Sequence, residues 1–239
     1  MDKETQKDAY LFGTIKALRA SQQRYIQNPV QAVKVCEKAF IIDRGVFPSY
    51  YFADTRFFVD NMPDPKGKNV LEIGCGAGII SVMMALKGAK KVVATDVSSD
   101  ALDNTSRNAQ RHGVQEKIDT RQGSVYLPLG KGQKFDIILW NMPFGYVEFF
   151  PRGLEDSVFD YKYNHIRDFF RGARKHLSEN GRLVYEFSPT IGRPDLISNY
   201  LKENHLVEKP IVEETFSRGV MNPNGDVYLG LYEARREEE

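Results

Sequence analysis

The sequence is poor in cysteine and has almost no excess of charge of either sign. Its 239 residues include two cysteines, Cys36 and Cys75, which are too few for a disulfide framework and are not spaced as metal ligands. The 33 basic residues balance 32 acidic ones, so the chain as a whole is not attracted to nucleic acid or membrane. A disulfide-stapled scaffold is excluded, and any charged partner must be recognised locally.

Long apolar runs are missing as well. The N-terminal segment MDKETQKDAY is polar and charged, so it lacks the apolar core of a secretory signal, and no later run is long enough to span a bilayer. We therefore predict a cytoplasmic protein with no membrane partner. The four histidines, His112, His165, His176 and His205, show no ligand spacing, so no metal is predicted either.

The first part of the chain has helical periodicity. It occurs in TIKALRASQQRYI and again in VQAVKVCEKAFII, which follows Asn28 and Pro29, a capping residue and a helix-start proline. This pattern predicts a small helical N-terminal extension or lid over residues 1–48. Residues 49–239 are expected to form the main domain.

From Lys68 onward, short apolar runs alternate with helical stretches. The runs are NVLEIG, KVVATD, KIDTRQG, FDIILWN and GRLVYEFS. This alternation predicts an α/β fold, a Rossmann-like, doubly wound parallel sheet covered by helices on both faces. After a helix that follows Pro194, LVEKPIVEETFS and DVYLGLYEAR are joined by the turn-rich MNPNGD, which predicts an antiparallel C-terminal hairpin.

A glycine-rich turn follows the first of these strands in VLEIGCGAGIIS. Gly74, Gly76 and Gly78 allow a sharp turn before a helix whose N-terminus offers unpaired N–H groups. The spacing differs from the dinucleotide fingerprint GxGxxG. Glu72, just inside the strand, would repel a pyrophosphate and suits the ammonium group of a methionine moiety. Asp96 ends the next strand, where an acid can accept both ribose hydroxyls; a structural turn with Asp96 as a helix cap is the alternative.

These features together resemble the class I S-adenosylmethionine-dependent methyltransferases, over residues 50–235. The resemblance implies an enzyme with a seven-stranded, mostly parallel sheet and S-adenosyl-L-methionine as cofactor. It places the methionine part near Glu72, Gly74, Cys75, Gly76 and Gly78, the ribose on Asp96, and the adenine against Val97 and Ser124. Ser124 stands where the family usually has an acid, and the Gly123 and Val125 backbone can substitute. Asp54 and Thr55 would lie at the amino acid end of the cofactor, or simply cap an amphipathic helix.

The fourth strand ends in LWNMPFG. Asn141, Met142, Pro143 and Phe144 resemble the Asn-Pro-Pro-Tyr/Phe signature of amino-group methyltransferases, with Met142 in place of the first proline. An amide or aromatic amine has a delocalised lone pair, so it attacks a methyl donor poorly unless its N–H groups are held. The Asn141 side-chain oxygen and the Met142 carbonyl can hold them, Pro143 fixes the turn and Phe144 can stack on a flat substrate. The alternative is a simple strand-ending turn.

The next segment, GYVEFFPRGLEDSVFDYKYNH, is rich in aromatic residues. We expect Tyr146, Phe149 and Tyr161 to bind substrate, with Phe150 and Tyr163 as further candidates, although half of these rings can equally belong to the core.

The leading functional hypothesis is methyl transfer to a planar nitrogen. A protein glutamine amide is the first candidate acceptor, as in the release-factor glutamine methyltransferases that the sequence resembles. Alternatives are a base amine of a nucleic acid, or a metabolite methylated on nitrogen or oxygen. A different class of protein also remains open, a cofactor-binding scaffold or allosteric subunit without turnover.

Overall fold

A computed structural model describes residues 11–16, 18–20, 30–49, 54–216 and 227–237. Residues 11–16 and 18–20 are helical, which confirms the predicted helix at residues 14–16 and 18–20 and begins it earlier in the chain. The remainder of that predicted helix lies outside the described residues. No helix in the described ranges is both long and apolar enough to cross a bilayer.

The second predicted N-terminal helix is wrong. Strand β1 (Val30–Val35) pairs antiparallel with strand β2 (Lys38–Asp43). Cys36 and Glu37 form the turn, with φ angles of 46° and 61°. Two consecutive positive φ angles give a turn whose twist matches a hairpin, and the β-branched residues around it favour strands. The N-terminal region therefore combines helix with a hairpin, and the boundary between residues 48 and 49 stays a prediction.

The remaining strands alternate with helices along the chain. The strands are β3 Asn69–Ile73, β4 Lys91–Asp96, β5 Ile118–Gln122, β6 Phe135–Asn141, β7 Gly145–Val147, β8 Phe159–Tyr161, β9 Leu177–Phe187, β10 Leu206–Phe216 and β11 Val227–Arg236. The helices are α1 Asp54–Asn61, α2 Ile79–Leu86, α3 Ser99–Arg111, α4 Asn164–His176 and α5 Pro194–Glu203. Two short 3-10 helices cover Gln115–Lys117 and Gly153–Ser157.

Seven strands form the main sheet, in the order β10-β11-β9-β6-β3-β4-β5. Strand β11 runs antiparallel to both of its neighbours, and the other pairs are parallel. The predicted doubly wound α/β sheet with an antiparallel C-terminal pair is confirmed. Because the chain leaves β3 toward β4 on one side and returns to β6 on the other, a crevice is expected at the carboxyl ends of these strands.

The N-terminal hairpin is attached to the main domain through α3. The buried side chains of Asn104 and Asn108 hydrogen-bond the backbone of Ile41 and Asp43 at 2.7–3.0 Å. Asn108 also donates to the carbonyl of Ala77 in the glycine loop at 2.8 Å. These bonds satisfy the backbone groups of β2 that face α3, so the hairpin belongs to the same packed body as the glycine loop.

Candidate functional site

A cavity of about 910 Å³ lies at the carboxyl ends of β3, β4 and β6. Nine of the ten residues assigned to the cofactor line it: Asp54, Thr55, Glu72, Gly74, Cys75, Gly76, Asp96, Val97 and Ser124. The four residues of the turn after β6, Asn141, Met142, Pro143 and Phe144, line it as well. The chain therefore brings the two groups that the sequence singled out to one cavity.

Gly78 is the exception, since it does not line the cavity. Its φ is 74°, and a Cβ atom there would lie 2.9 Å from the Cα of Thr105. A side chain would collide with the backbone of α3. The structure thus gives Gly78 a packing role between the glycine loop and α3, in place of a position in the cavity wall.

Glu72 lies on the floor of the cavity and is almost completely buried, with 2% of its surface exposed. Its Oε2 accepts a hydrogen bond from the Ser81 hydroxyl. Burial raises the pKa of Glu72 to about 8; the charge of Asp96 adds to this rise, and the bonds from Ser81 oppose it. The carboxyl is therefore mostly protonated at neutral pH until a cation arrives.

This pKa predicts that cofactor binding releases a proton from Glu72. At about pH 7 the free carboxyl holds a proton, and pairing with an ammonium group favours its loss, so close to one proton leaves per cofactor bound. Affinity rises with pH toward 8, until the amino group of the cofactor itself deprotonates near the same pH. Calorimetry in buffers of different ionisation enthalpy measures the release. Glu72→Gln should abolish it; an equal release from wild type and variant would contradict this assignment.

Asp96 ends β4 and faces the same cavity. Its Oδ2 accepts from the Gly76 N–H at 3.0 Å and its Oδ1 from the Ser98 N–H at 2.9 Å. Burial raises the pKa of Asp96, and these backbone donors oppose the rise. Each oxygen keeps a lone pair for a further donor such as a ribose hydroxyl. Val97 beside it has 58% of its surface exposed and offers an apolar face.

The cavity fits S-adenosylmethionine, the cofactor that the resemblance implies. Glu72 suits a cation, Asp96 suits a diol, and Val97 suits a flat ring. A Cβ on Gly76 would meet nothing within 4 Å, so the loop leaves room for a ligand. The hydroxyl of Ser49 is buried on the cavity wall and has no hydrogen-bond partner in the described part of the chain. It is therefore available to hydrogen-bond a polar group of a ligand.

The turn after β6 is held from both sides. Asn141 donates from Nδ2 to Oδ2 of the buried Asp54 at 3.3 Å. The carbonyl of Phe144 accepts a hydrogen bond from the Tyr163 hydroxyl, which itself accepts from the Arg193 N–H at 3.1 Å. These bonds tie α1 and α5 to the turn and keep its side chains in place. Tyr163 is fully buried, so it is a structural anchor and does not line the substrate wall.

The aromatic segment forms the outer wall of the cavity in part. Phe150 and Tyr161 both line it, and their rings stack with centroids 4.1 Å apart. Tyr146 and Phe149 do not line it. Tyr146 packs edge-on against Tyr163, with ring centroids 5.3 Å apart, whereas Phe149 is 44% exposed. Of the three residues expected to bind substrate, only Tyr161 therefore lies at the cavity, and of the two further candidates only Phe150 does.

The charged groups of the cavity wall are mostly carboxylates. Asp156, Asp160 and His165 lie on the outer side, in addition to the acids of the cofactor side. Asp160 is 2% exposed and accepts a bond from His165 Nδ1 at 3.1 Å, which raises the pKa of the imidazole. Five carboxyls and one histidine thus set the potential here.

Sequence reasoning missed two parts of the wall. Gly45, Val46, Phe47 and Ser49 border the cavity directly after the hairpin, across the predicted boundary between the extension and the main domain, and no motif marks the buried hydroxyl of Ser49. Trp140 lies beneath the glycine loop, where a Cβ on Gly74 would come within 2.9 Å of its Nε1. Its place directly before Asn141 is the only local signal. Within the described ranges, no group of three or more His, Cys, Asp or Glu side chains could hold a metal ion.

Comparison with known proteins identifies the family of the chain. The family model of the methyltransferase small domain matches residues 37–211. A Methanocaldococcus jannaschii protein, provisionally named a protein N5-glutamine methyltransferase, is 32% identical over 155 residues, which are 65% of this chain and 67% of the relative. The release factor glutamine methyltransferase of Aquifex aeolicus is 32% identical over 143 residues, covering 55% of this chain and 50% of that protein.

Other matches are shorter or show the fold alone. The chain spans only 26% of the ribosomal protein L11 methyltransferase of Alteromonas mediterranea, at 36% identity over 80 residues. The crystal structure of the ribosomal protein L11 methylase from Lactobacillus delbrueckii subsp. bulgaricus superposes with a TM-score of 0.57 at 20% identity, covering 82% of this chain and 84% of that chain.

Proposed function

The chain belongs to the methyltransferase small domain family and is an S-adenosylmethionine-dependent methyltransferase, and from this premise we propose that it methylates the side-chain amide nitrogen of a protein glutamine. The observation that carries the proposal is the position of Asn141 and Met142, in the wall of the cavity that also contains Glu72 and Asp96. An acceptor that reaches the turn after β6 would meet the methyl donor there.

When bound, S-adenosylmethionine supplies an electrophilic methyl group on a positively charged sulfur. Glu72 would hold its ammonium group, Asp96 its ribose hydroxyls, and Val97 and Ser124 would border its adenine. The protein adds no covalent chemistry of its own in this proposal. Its residues would orient the acceptor and the donor in one cavity. This orientation would supply most of the rate enhancement.

The turn after β6 would orient the nitrogen of the acceptor. An amide N–H pair can donate to Oδ1 of Asn141 and to the main-chain carbonyl of Met142, which aims the nitrogen lone pair away from both. Phe144 is buried, with its ring edge-on to Phe187 at 6.5 Å, so the wall beside the acceptor is rigid. Transfer of the methyl group to this nitrogen would break its bond to the sulfur, which would leave as a neutral thioether, and the nitrogen would lose one N–H proton to water, so no strong base is required.

The charges of the cavity favour a protein amide over a nucleic acid. Asp156 on the outer wall would repel the phosphates that flank a nucleobase, whereas the charge of the buried Asp160 is offset by its partner His165. A neutral glutamine in a peptide carries no such phosphates. Two relatives named as glutamine methyltransferases, each 32% identical, support the same acceptor. The stacked Phe150 and Tyr161 rings favour a base amine as the second candidate, because exposed aromatic rings bind nucleobases.

The acceptor can be tested with radiolabelled methyl groups. We expect label from S-adenosylmethionine to enter the protein fraction of a cell extract, to resist nuclease, and to be released as methylamine by acid hydrolysis. Acid cleaves N5-methylglutamine to glutamate and methylamine, whereas methylated lysine survives. Nuclease-sensitive label would instead identify a base amine as the acceptor, and label among small molecules would identify a metabolite.

A further inference from the structure

Asp54 contacts the side chain that the proposed mechanism depends on most. It is the first residue of α1, lies on the cavity wall and has 5% of its surface exposed. Its Oδ1 accepts from the Thr55 N–H at 2.6 Å, and its Oδ2 accepts from Asn141 Nδ2 at 3.3 Å. Because an ionised carboxylate can only accept, the amide NH2 of Asn141 must face Asp54, which leaves Oδ1 of Asn141 for another donor.

A second buried carboxyl lies beside this pair. Glu186 on β9 is opposite Asn141 in the sheet, is completely buried, and has no hydrogen-bond partner for either oxygen among the described residues. Burial raises the pKa of Glu186 well above its usual value, and the charge of Asp54 raises it further. Burial raises the pKa of Asp54 as well, but the hydrogen bonds from Thr55 and Asn141 oppose this rise. Glu186 has no such donors among the described residues, so of the two carboxyls Glu186 is the one that holds a proton more readily.

We propose that Asp54 is a positioning residue that orients and polarises Asn141 for methyl transfer. The proposal rests on the role given to Asn141 above. A carboxylate that accepts from Nδ2 prevents the amide from rotating by 180°, and it draws electron density toward Oδ1, which becomes a stronger acceptor for the N–H of the substrate. This resembles the way in which an outer carboxylate orients a metal-bound histidine. The resemblance to the family instead places Asp54 at the amino acid end of the cofactor. A positioning role predicts a lower kcat when Asp54 is changed, whereas a cofactor contact predicts weaker binding of the cofactor.

Asp54→Asn separates these roles without a change of shape. The new side chain has only one acceptor oxygen for the N–H of Thr55 and the NH2 of Asn141. Its own NH2 is a donor, which favours a rotation of the Asn141 amide that turns the amide oxygen toward position 54. The group that faces the substrate would then be a donor. We expect kcat to fall by about 10- to 100-fold, with the dissociation constant of S-adenosylmethionine changed by less than about threefold.

The exchange of the two side chains is the decisive variant. In the double variant Asp54→Asn, Asn141→Asp, the amide at position 54 donates to a carboxylate at position 141, which again presents an oxygen to the substrate. Asn141→Asp alone places a second carboxylate in contact with Asp54, and the two negative charges repel each other. We expect the double variant to be at least about tenfold faster than either single variant, a coupling that additive structural damage does not produce. Asp60→Asn, at the exposed end of the same helix, is the matched control.

The test uses the whole 239-residue chain and the extract fraction that the wild type labels. If the wild type labels nucleic acid or a metabolite, the glutamine proposal fails and the exchange is measured on that fraction instead. Weaker cofactor binding by Asp54→Asn, without recovery of kcat in the double variant, would overturn the role of Asp54 in favour of a cofactor contact. Full activity of Asp54→Asn would overturn it as well.

A second measurement needs no acceptor and applies even if the wild type labels nothing. In the NMR spectrum of the ¹⁵N-labelled protein, the side-chain NH2 protons of Asn141 should resonate downfield of those of exposed asparagines, because one of them bonds to a carboxylate. Asp54→Asn should remove this shift and Asp60→Asn should leave it in place. If the chemical shift of the Asn141 NH2 protons stays the same in Asp54→Asn, the proposal is contradicted independently of any activity measurement.

Discussion

Replacing Asn141 by alanine is expected to slow methyl transfer by roughly 100- to 1,000-fold, with little effect on the binding of S-adenosylmethionine. The change removes an acceptor oxygen held in place by Asp54 at the end of β6. An amide nitrogen is a weak nucleophile, and the loss of one oriented contact leaves it free to turn its lone pair away from the methyl group. The rate of label transfer into the fraction that the wild type labels, at saturating cofactor, measures the effect.

The matched control is Asn180→Ala, since Asn180 is an exposed asparagine of the same sheet. It should retain wild-type turnover. Calorimetry with S-adenosylmethionine on both variants separates a loss of chemistry from a loss of cofactor. If Asn141→Ala transferred methyl groups as fast as Asn180→Ala, the turn after β6 would have no part in the reaction and the proposed mechanism would be wrong.

The second large effect is expected at Asp96. Two hydrogen bonds from ribose hydroxyls to a carboxylate contribute about 1.5–3 kcal/mol each, so Asp96→Ala should weaken cofactor binding by about 100-fold or more. The variant also frees the N–H groups of Gly76 and Ser98, which Asp96 accepts from in the structure. These groups lie at the cavity, where water can reach them, so the fold should survive.

Two measurements decide this prediction. Calorimetric titration gives the dissociation constant, and thermal unfolding without cofactor shows whether the fold is intact. Asp103→Ala removes an exposed acid of α3 and should change neither quantity. An unchanged cofactor affinity in Asp96→Ala would remove Asp96 from the site, and a large loss of unfolding temperature would make its role structural.

Much of the fold and of the cofactor side of the cavity could be predicted from the sequence, because the relevant signals are local. Buried parallel strands are continuous apolar runs, and their carboxyl ends meet at one edge of the sheet. Glu72, the glycine loop, Asp96 and Asn141 each stand at such an end, so their order along the chain already indicates a shared site. All of them line the cavity of the structure, except Gly78 of the glycine loop.

The acceptor side was less predictable, because the segment after β6 has little regular structure. The rings of Phe150 and Tyr161 face the cavity, whereas Tyr146 faces the buried Tyr163. Composition shows that this segment is aromatic, but no periodicity tells which ring faces which side. The sequence predicts a helix in place of the hairpin of residues 30–43 for a related reason. Its apolar residues fit both periods, and the residues of α3 that it contacts are more than 60 positions away in the chain.

The sequence by itself determined the order of the elements, the family and the groups available for chemistry, since each depends on residues close together in the chain. Only the tertiary structure decided how those groups are oriented. Asp54 and Asn141 are 87 residues apart, and their hydrogen bond exists because α1 begins and β6 ends at the same cavity. The buried carboxyl of Glu186 joins them through the pairing of β9 with β6. Such contacts follow from packing across the sheet, which leaves no local pattern in the sequence.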